Sequence, residues 1–395
     1  LTNYRLLVLI NSLFFAAIGI SAPLLSLFFE EELGADKSSI AIILTSVGLT
    51  MLLGNYSWGR ISDWLGQRKP IWAGGLFGVA LTSLLLGQAP DVNTAWGLHA
   101  AGALATAAYT TLSLAIMADV FAQQNNANAP QKGRQMGLYR GLGSFAFAIG
   151  ATFGGRLADA VSLRAIFVAC SILYLVAGLC ALFLAEGKEP IPDPVNRQSS
   201  FLKDAETAPP LDGPRLPLFF LAGVALWTMA HTASASMWPN YMSELGYSKT
   251  WIGGLWGLAA FVEFPAMYLA GIVSDLIGTA VVLAAGGLLV AVVNAGYLLF
   301  AIYLPALLWI QLVRGVGFAT YTTSAMTFTT NFGIQRTRGR TSGIFYTTVS
   351  MGSLFGSYFG GTLAEWRGFE FMYGFCAISA LAAGGCFLLL RQRHR

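Results

Sequence analysis

The sequence predicts an all-α membrane protein built from two repeated six-helix halves. Three observations carry that prediction. Of 395 residues, 55% are hydrophobic and only 11% charged, against about 25% charged in a soluble domain, and the mean hydropathy is +0.63. The apolar residues come in runs of roughly 20, the length that spans a hydrocarbon core of about 30 Å. The second half of the chain then repeats the first at a nearly constant offset. A transmembrane barrel would instead show alternating segments of about ten residues.

Twelve spans follow in order: about 5–29, 38–60, 70–89, 94–118, 135–158, 162–186, 216–243, 249–272, 279–301, 305–331, 340–364 and 368–390. The first run is long enough to be a spanning helix rather than a cleaved signal peptide. The long polar segment, rich in Pro and charge, lies between the sixth and seventh spans and reads as a flexible linker. It divides the chain into a bundle over 1–186, a linker over 187–215 and a second bundle over 216–395.

Charge in the loops sets orientation. The face holding both termini and the linker carries 16 Lys and Arg, and the opposite face five, Lys37, Arg156, Arg164, Lys249 and Arg367. The positive-inside rule places the first face in the cytoplasm. Net charge of +4 therefore reflects topology and gives no ground for a nucleic-acid partner. Cys170 and Cys180, like Cys376 and Cys386, are ten residues apart within single spans. Ten helical residues rise about 15 Å, too far for a disulfide.

The repeat is explicit. At an offset of 212, Glu32-Leu33-Gly34 matches Glu244-Leu245-Gly246, Lys37 matches Lys249, and Tyr109-Thr110-Thr111 matches Tyr321-Thr322-Thr323. At 206, Gly137, Gly150, Gly154 and Gly155 match Gly343, Gly356, Gly360 and Gly361, and both cysteine pairs match. Small residues at these intervals let membrane helices approach closely.

One loop motif also repeats. Gly59-Arg60-Ile61-Ser62-Asp63-Trp64-Leu65-Gly66, followed by Arg68-Lys69, has its copy in Gly271-Ile272-Val273-Ser274-Asp275-Leu276-Ile277-Gly278. With its basic tail, the first copy resembles the signature loop between helices 2 and 3 of the major facilitator superfamily, and the resemblance covers nearly the whole chain. It implies the major facilitator fold, two six-helix bundles related by pseudo-two-fold symmetry, with a solute site between them near the midplane. It also implies a conformational latch formed by Gly59, Asp63, Gly66 and Arg68, in which Asp63 meets the start of helix 11 near Arg340. Asp275 holds the corresponding place in the second copy, which lacks the basic tail. The glycines of the fifth span resemble the antiporter motif without its proline, Ala151 standing in that place.

Ionisable residues inside spans cost roughly 2.5–3.5 kcal/mol each on insertion scales and mark function. Glu263 sits mid-span in the eighth, two residues before Pro265; Arg140 lies in the fifth and Arg314 in the tenth. Their repeat counterparts are Met51, Tyr346 and Gly102, so the charges are additions to a duplicated scaffold. Helices 5 and 8 face each other across the halves in the resembled family, which makes Arg140 and Glu263 a candidate proton-coupling pair. His231 joins them, since imidazole titrates near about 6.5 in water. Helices 1, 4, 7 and 10 line the cavity in that family, giving Asn11, Phe15, Tyr109, Trp227, Gln311, Arg314 and Tyr321 as substrate-binding candidates.

No P-loop, His-Glu-x-x-His or metal-spaced Cys cluster is present, so neither an enzyme nor a cofactor or metal site is expected. The function expected is secondary active transport of a small organic solute by alternating access, coupled to protons, by a monomer in the bilayer of a bacterial inner membrane. The alternatives are a drug or sugar efflux proton antiporter, and a non-coupled lipid transporter or transporter-like sensor.

Overall fold

The computed structural model describes residues 3–65, 67–123, 129–184, 216–332 and 338–392. The linker at 187–215 and Gly66 lie outside the described residues, as do the side chains of Asp63, Arg140 and Arg340. Regular structure among the described residues is helical throughout.

The chain begins with α1, Asn3–Ser21, which tightens into a 3-10 turn at Ala22–Leu24 and, after Leu25–Leu27, widens into a π turn at Phe28–Glu32. Pro23 lies at the change, where its missing N–H and its ring break the regular ladder. Next come α2 Lys37–Leu65, α3 Lys69–Leu86, α4 Val92–Gln123, α5 Ala129–Ala160 and α6 Leu163–Leu182. The second half supplies α7 Leu218–Glu244, α8 Lys249–Ile277, α9 Thr279–Phe300 and α10 Leu304–Phe332. The last helical stretch, Arg338–Gln392, breaks at Gly368 with φ 82° and ψ 170°, and its two limbs are α11 and α12. Twelve helices thus stand where twelve spans are expected. Eight stretches among the described residues are long and apolar enough to cross a membrane, one of them holding both α11 and α12.

The helices form two six-helix bundles. In the first, α1 lies against α5 and α6, α4 against α2 and α3, and α3 against α6. In the second, α7 and α9 lie against the α11/α12 stretch and α10 against α8 and α9. The matched glycines make the helix pairs possible. A Cβ on Gly150 or Gly154 would overlap the carbonyls of Ala16 and Ile20 in α1, and one on Gly356 or Gly360 those of Met229 and Ala233 in α7. The loop copy that is described turns as the motif requires: Gly278 joins α8 to α9 at φ 94°, open to glycine and costly for other residues.

Two seams join the bundles, α5 on α8 and α2 on α11. Gly155 meets the backbone of Lys249, and Gly361 that of Lys37, so matched glycines serve matched crossings. Farther along, Gly48 faces Leu354, and Gly141 lies under the Phe264 ring. Beyond these points the contact faces separate. Tyr268 and Ile272 continue the α8 stripe, and Leu52 and Tyr56 the α2 stripe; all four are exposed. Among the described residues the bundles touch at the end holding the α1–α2 turn and expose their seam faces toward the end holding the termini, here termed the closed and the open end.

Candidate functional site

The closed end is held by reciprocal charges. Lys37, at the start of α2, pairs with Glu244 at the end of α7 (2.7 Å). Lys249, at the start of α8, pairs with Glu31 at the end of α1 (2.8 Å). The free N–H groups of the same two helix starts are also met across the seam. Asp159 of α5 accepts from the backbone of Lys249 (3.1 Å) and Thr250 (2.7 Å), while Glu365 of α11 accepts from the backbone of Lys37 (3.2 Å). Within each half the N-cap is Asp36, bonded to the Ser39 N–H at 2.7 Å, or Ser248, bonded to the Trp251 N–H at 3.4 Å. Asp36 matches Ser248 at 212 and Asp159 matches Glu365 at 206. The lysines, the caps and the carboxylates across the seams therefore follow the duplication, but the ion pairs do not: Glu32, the match of Glu244, pairs with Arg164 at 2.9 Å and leaves Lys249 to Glu31. Asn240 adds a hydrogen bond to Glu30, and Ser243 one to Glu31 at 2.9 Å.

Among the described side chains, the charges lying well inside expected spans, Arg314 and Glu263, belong to the second bundle. On α10, Arg314 donates to Gln311 Oε1 at 3.2 Å, and Gln311 donates to the Tyr297 hydroxyl of α9 at 3.0 Å. Its guanidinium lies 4.3 Å from the Trp256 ring centre and 6.0 Å from that of Trp238, a cation–π setting. No carboxylate among the described residues lies within ion-pair distance of it. Glu263 shares one stripe of α8 with Trp256 and Ala260, and the guanidinium of Arg314 is the described positive charge whose field reaches it. Gly315 permits this, since its missing side chain lets α10 press onto Ala259 and Val262. Glu263 is half-buried and makes no hydrogen bond or ion pair among the described residues.

His231 of α7 stacks on Trp227 (4.9 Å) and lies near Phe318 (5.1 Å). Together with Ser234, Trp238, Asn294, Tyr297 and Arg314 it lines a recess between α7, α9 and α10. His231, Arg314 and Gln311 are thus brought together, with Glu263 beside them. Trp227 and Tyr321 form a stack at 3.6 Å deeper in the bundle, with both residues buried.

The first-half candidates sit differently. Tyr109 is buried between Phe14 (3.9 Å) and Trp72 (5.7 Å). Asn11 ties α1 to α5 by donating to the Tyr139 carbonyl at 2.9 Å. Phe15 is 37% exposed, with its ring edge against Gly143 of α5. Arg140 lies next to Gly141, which places its backbone level with Glu263 and Phe264 across the seam.

In the latch loop, Gly59 packs toward Thr111 and Gly271 toward Thr323, and a Cβ added to either would lie 3.9 Å from the matched threonine's methyl. Asp275 is exposed, and Arg68 is half-buried with partners of its own. Lys69 donates to the carbonyls of Leu182 (2.9 Å) and Leu184 (2.6 Å), closing the end of α6.

Sequence reasoning missed Asn294, Tyr297, Ser234, Asp159 and Glu365. The acidic match at 206 was a usable signal for the last two. Nothing in the α9 sequence alone says which of its faces meets α7 and α10.

Residues 7–347 and 264–395 match the Major Facilitator Superfamily. A "Putative sugar efflux transporter" of Deinococcus radiodurans is 27% identical over 387 residues, covering 96% of this chain and 95% of that protein. The maltose permease of Geobacillus stearothermophilus is 26% identical over 392 residues, covering 97% and 93%. Among solved structures, the nucleoside transporter NupG superposes with a TM-score of 0.79 at 14% identity, covering 99% of both chains. A bacterial homolog of the human lysosomal transporter Spinster, inward-facing and occupied, gives 0.72 at 13%, covering 98% and 96%. At such identities the likeness is one of fold. The family match spans nearly the whole chain, and the protein belongs to the Major Facilitator Superfamily as a membrane transporter of a small solute rather than an enzyme.

Proposed function

We propose that this chain is a proton-coupled secondary transporter of an uncharged, hydroxyl-rich solute of the sugar class, with Glu263 as the coupling group. The observation that carries the reading is a mid-membrane carboxylate without a hydrogen bond or ion pair among the described residues, beside a cluster of Arg314, Gln311, Tyr297 and His231. Aromatic faces with a few convergent hydrogen-bonding groups suit sugars, whose rings offer both apolar and polar surface. The names of the two relatives, one for sugar efflux and one for maltose, support the same class.

The greater Lys and Arg count supports a cytoplasmic position for the open end. In this open form Glu263 exchanges its proton with the aqueous cavity. Rocking of the bundles then brings the open halves of α5 and α8 together, and Arg140, level with Glu263, meets the carboxylate and expels its proton. Protonation is thereby tied to which end is open, as coupling requires. Asp63 and Arg340 stabilise the opposite state by meeting at the end that is open here, in exchange for the Lys37, Lys249, Asp159 and Glu365 lock.

The test uses proteoliposomes with an imposed pH gradient and radiolabelled maltose, glucose and arabinose. Movement of one of these sugars driven by the gradient in either direction is the expected result. Sugar movement that ignores the gradient would remove the coupling claim, and no movement of any would remove the substrate class.

A further inference from the structure

From the structure we infer that the recess between α7, α9 and α10 is a subsite that takes a hydroxyl group of the solute, with Asn294 and Trp238 as its selecting residues. The inference rests on the sugar-class reading above. The recess is lined by the half-buried His231 and Arg314, which give it its more exposed side, and by the buried Asn294, Tyr297, Ser234 and Trp238. Asn294 and Trp238 are each 1% exposed. Of the buried side-chain polar atoms that lack a hydrogen-bond partner among the described residues, the two on residues lining this recess are Asn294 Oδ1 and Trp238 Nε1. Buried polar atoms are rarely left so in a folded protein, and each costs about 1–3 kcal/mol.

The chemistry of these atoms restricts the occupant. Asn294 Nδ2 donates to the Val290 carbonyl at 2.8 Å. Turning the amide over would set its oxygen against that carbonyl, so the free atom is the acceptor. Trp238 offers only a donor, because an indole N–H cannot accept. Arg314 adds further donors at the more exposed side. A group that satisfies all three accepts from Trp238 and Arg314 and donates to Asn294, which is what a single hydroxyl does, and the recess has room for little more than one. A carboxylate accepts only and would face the Asn294 oxygen, lone pair against lone pair. The recess thus discriminates against an anion even though an arginine lines it.

The matching place in the first half shows that the recess is an addition. Asn294 matches Thr82, Val290 matches Gly78, and Arg314 matches Gly102. Thr82 donates to the Gly78 carbonyl at 2.8 Å, as Asn294 does to Val290. There the hydroxyl ends the side chain, and it lies close enough to Gly102 that even a Cβ there would be a tight fit, 3.1 Å away. The second half keeps the bond to the helix and adds a free acceptor and a cation.

The test is equilibrium binding of maltose, glucose and arabinose to the purified full chain, followed by the singly deoxygenated analogues of the best binder. The variants are Asn294→Leu, Asn294→Thr (which keeps the bond to Val290) and Trp238→Phe (which keeps the ring but loses the N–H). The expected result is that one deoxy analogue binds the wild type about ten-fold more weakly than its parent. That difference disappears in Asn294→Thr or Trp238→Phe, which bind the parent about ten-fold more weakly. Asn294→Thr covers the case in which Asn294→Leu fails to fold. A sugar that binds wild type and folded variants alike, with the same preference over its analogues, overturns the subsite and leaves the sugar reading standing, with water in the recess. Absence of binding by all three sugars to the wild type overturns the sugar reading and the subsite with it.

Discussion

Tyr109 and Tyr321 hold the same place in the two repeats, and both are buried in ring stacks, on Phe14 at 3.9 Å and on Trp227 at 3.6 Å. A short distance away the two halves part company. The first half sets Gly102 close against Thr82; the second sets Arg314 beside Asn294 and leaves a recess. Met51 of the first half is Glu263 in the second. Matched residues therefore build most of the scaffold and the caps across the seams, while Glu263, Arg314, Asn294 and Trp238, none of them matched, supply the charge and the unpaired hydrogen-bonding groups around the recess. Maintenance of the fold accounts for the first set. It does not account for the second, since each buried charge or orphaned polar atom lowers stability unless something else uses it.

The sharpest way to break this comparison is to make the halves alike. Asn294→Thr combined with Arg314→Gly rebuilds the first-half arrangement. The protein is expected to fold, with stability lowered by about 1 kcal/mol from a glycine in a helix, and to lose measurable sugar binding. Thermal unfolding and binding on the same preparation check both. Gly361→Val acts on the shared scaffold instead. Its side chain would overlap the Lys37 backbone, and overpacking of this kind costs about 1–3 kcal/mol. Cysteine labelling from the α1–α2 side should then rise, because only the closed seam is penalised.

Asp159→Ala and Glu365→Ala form a matched pair of smaller effect. Each removes a carboxylate from a helix start across the seam, worth about 1 kcal/mol, or roughly five-fold in the same labelling equilibrium. Similar shifts from both would show that the lock is symmetric, and a shift from one alone would show that a single seam controls closure. The ion pairs Lys37–Glu244 and Lys249–Glu31 are partly exposed, so their removal should count for less than the caps. Least of all, Tyr109→Phe and Tyr321→Phe keep both stacks, and calorimetry should show changes below about 1 kcal/mol.

The fold was legible because membrane spans declare themselves by length and the duplication fixes pairs of positions. Gly155 and Gly361 could be matched in the sequence, and the structure gives the reason, a backbone crossing at each seam. The irregular end of α1 was less legible. Pro23 announces a break, but a 3-10 turn followed by a π turn depends on how Phe28 and Phe29 pack. Of the candidate site, Glu263 and Arg314 stood out because charge in hydrocarbon is costly wherever it faces. Asn294 did not, since an amide in a span is ordinary until its unpartnered atom is seen. That Arg314 of α10 is the described cation acting on Glu263 required the glycine crossing at Gly315, which no spacing rule supplies.

The central claim is that Glu263 couples solute movement to protons, and Glu263→Gln in proteoliposomes tests it most directly. The variant keeps the shape of the side chain and removes its charge. With the substrate sugar, pH-gradient-driven accumulation or extrusion should vanish, while exchange of labelled for unlabelled sugar at equal pH should persist, because exchange needs no net proton movement. A folded Glu263→Gln protein that still moves sugar against its gradient when a pH difference is imposed would contradict the account.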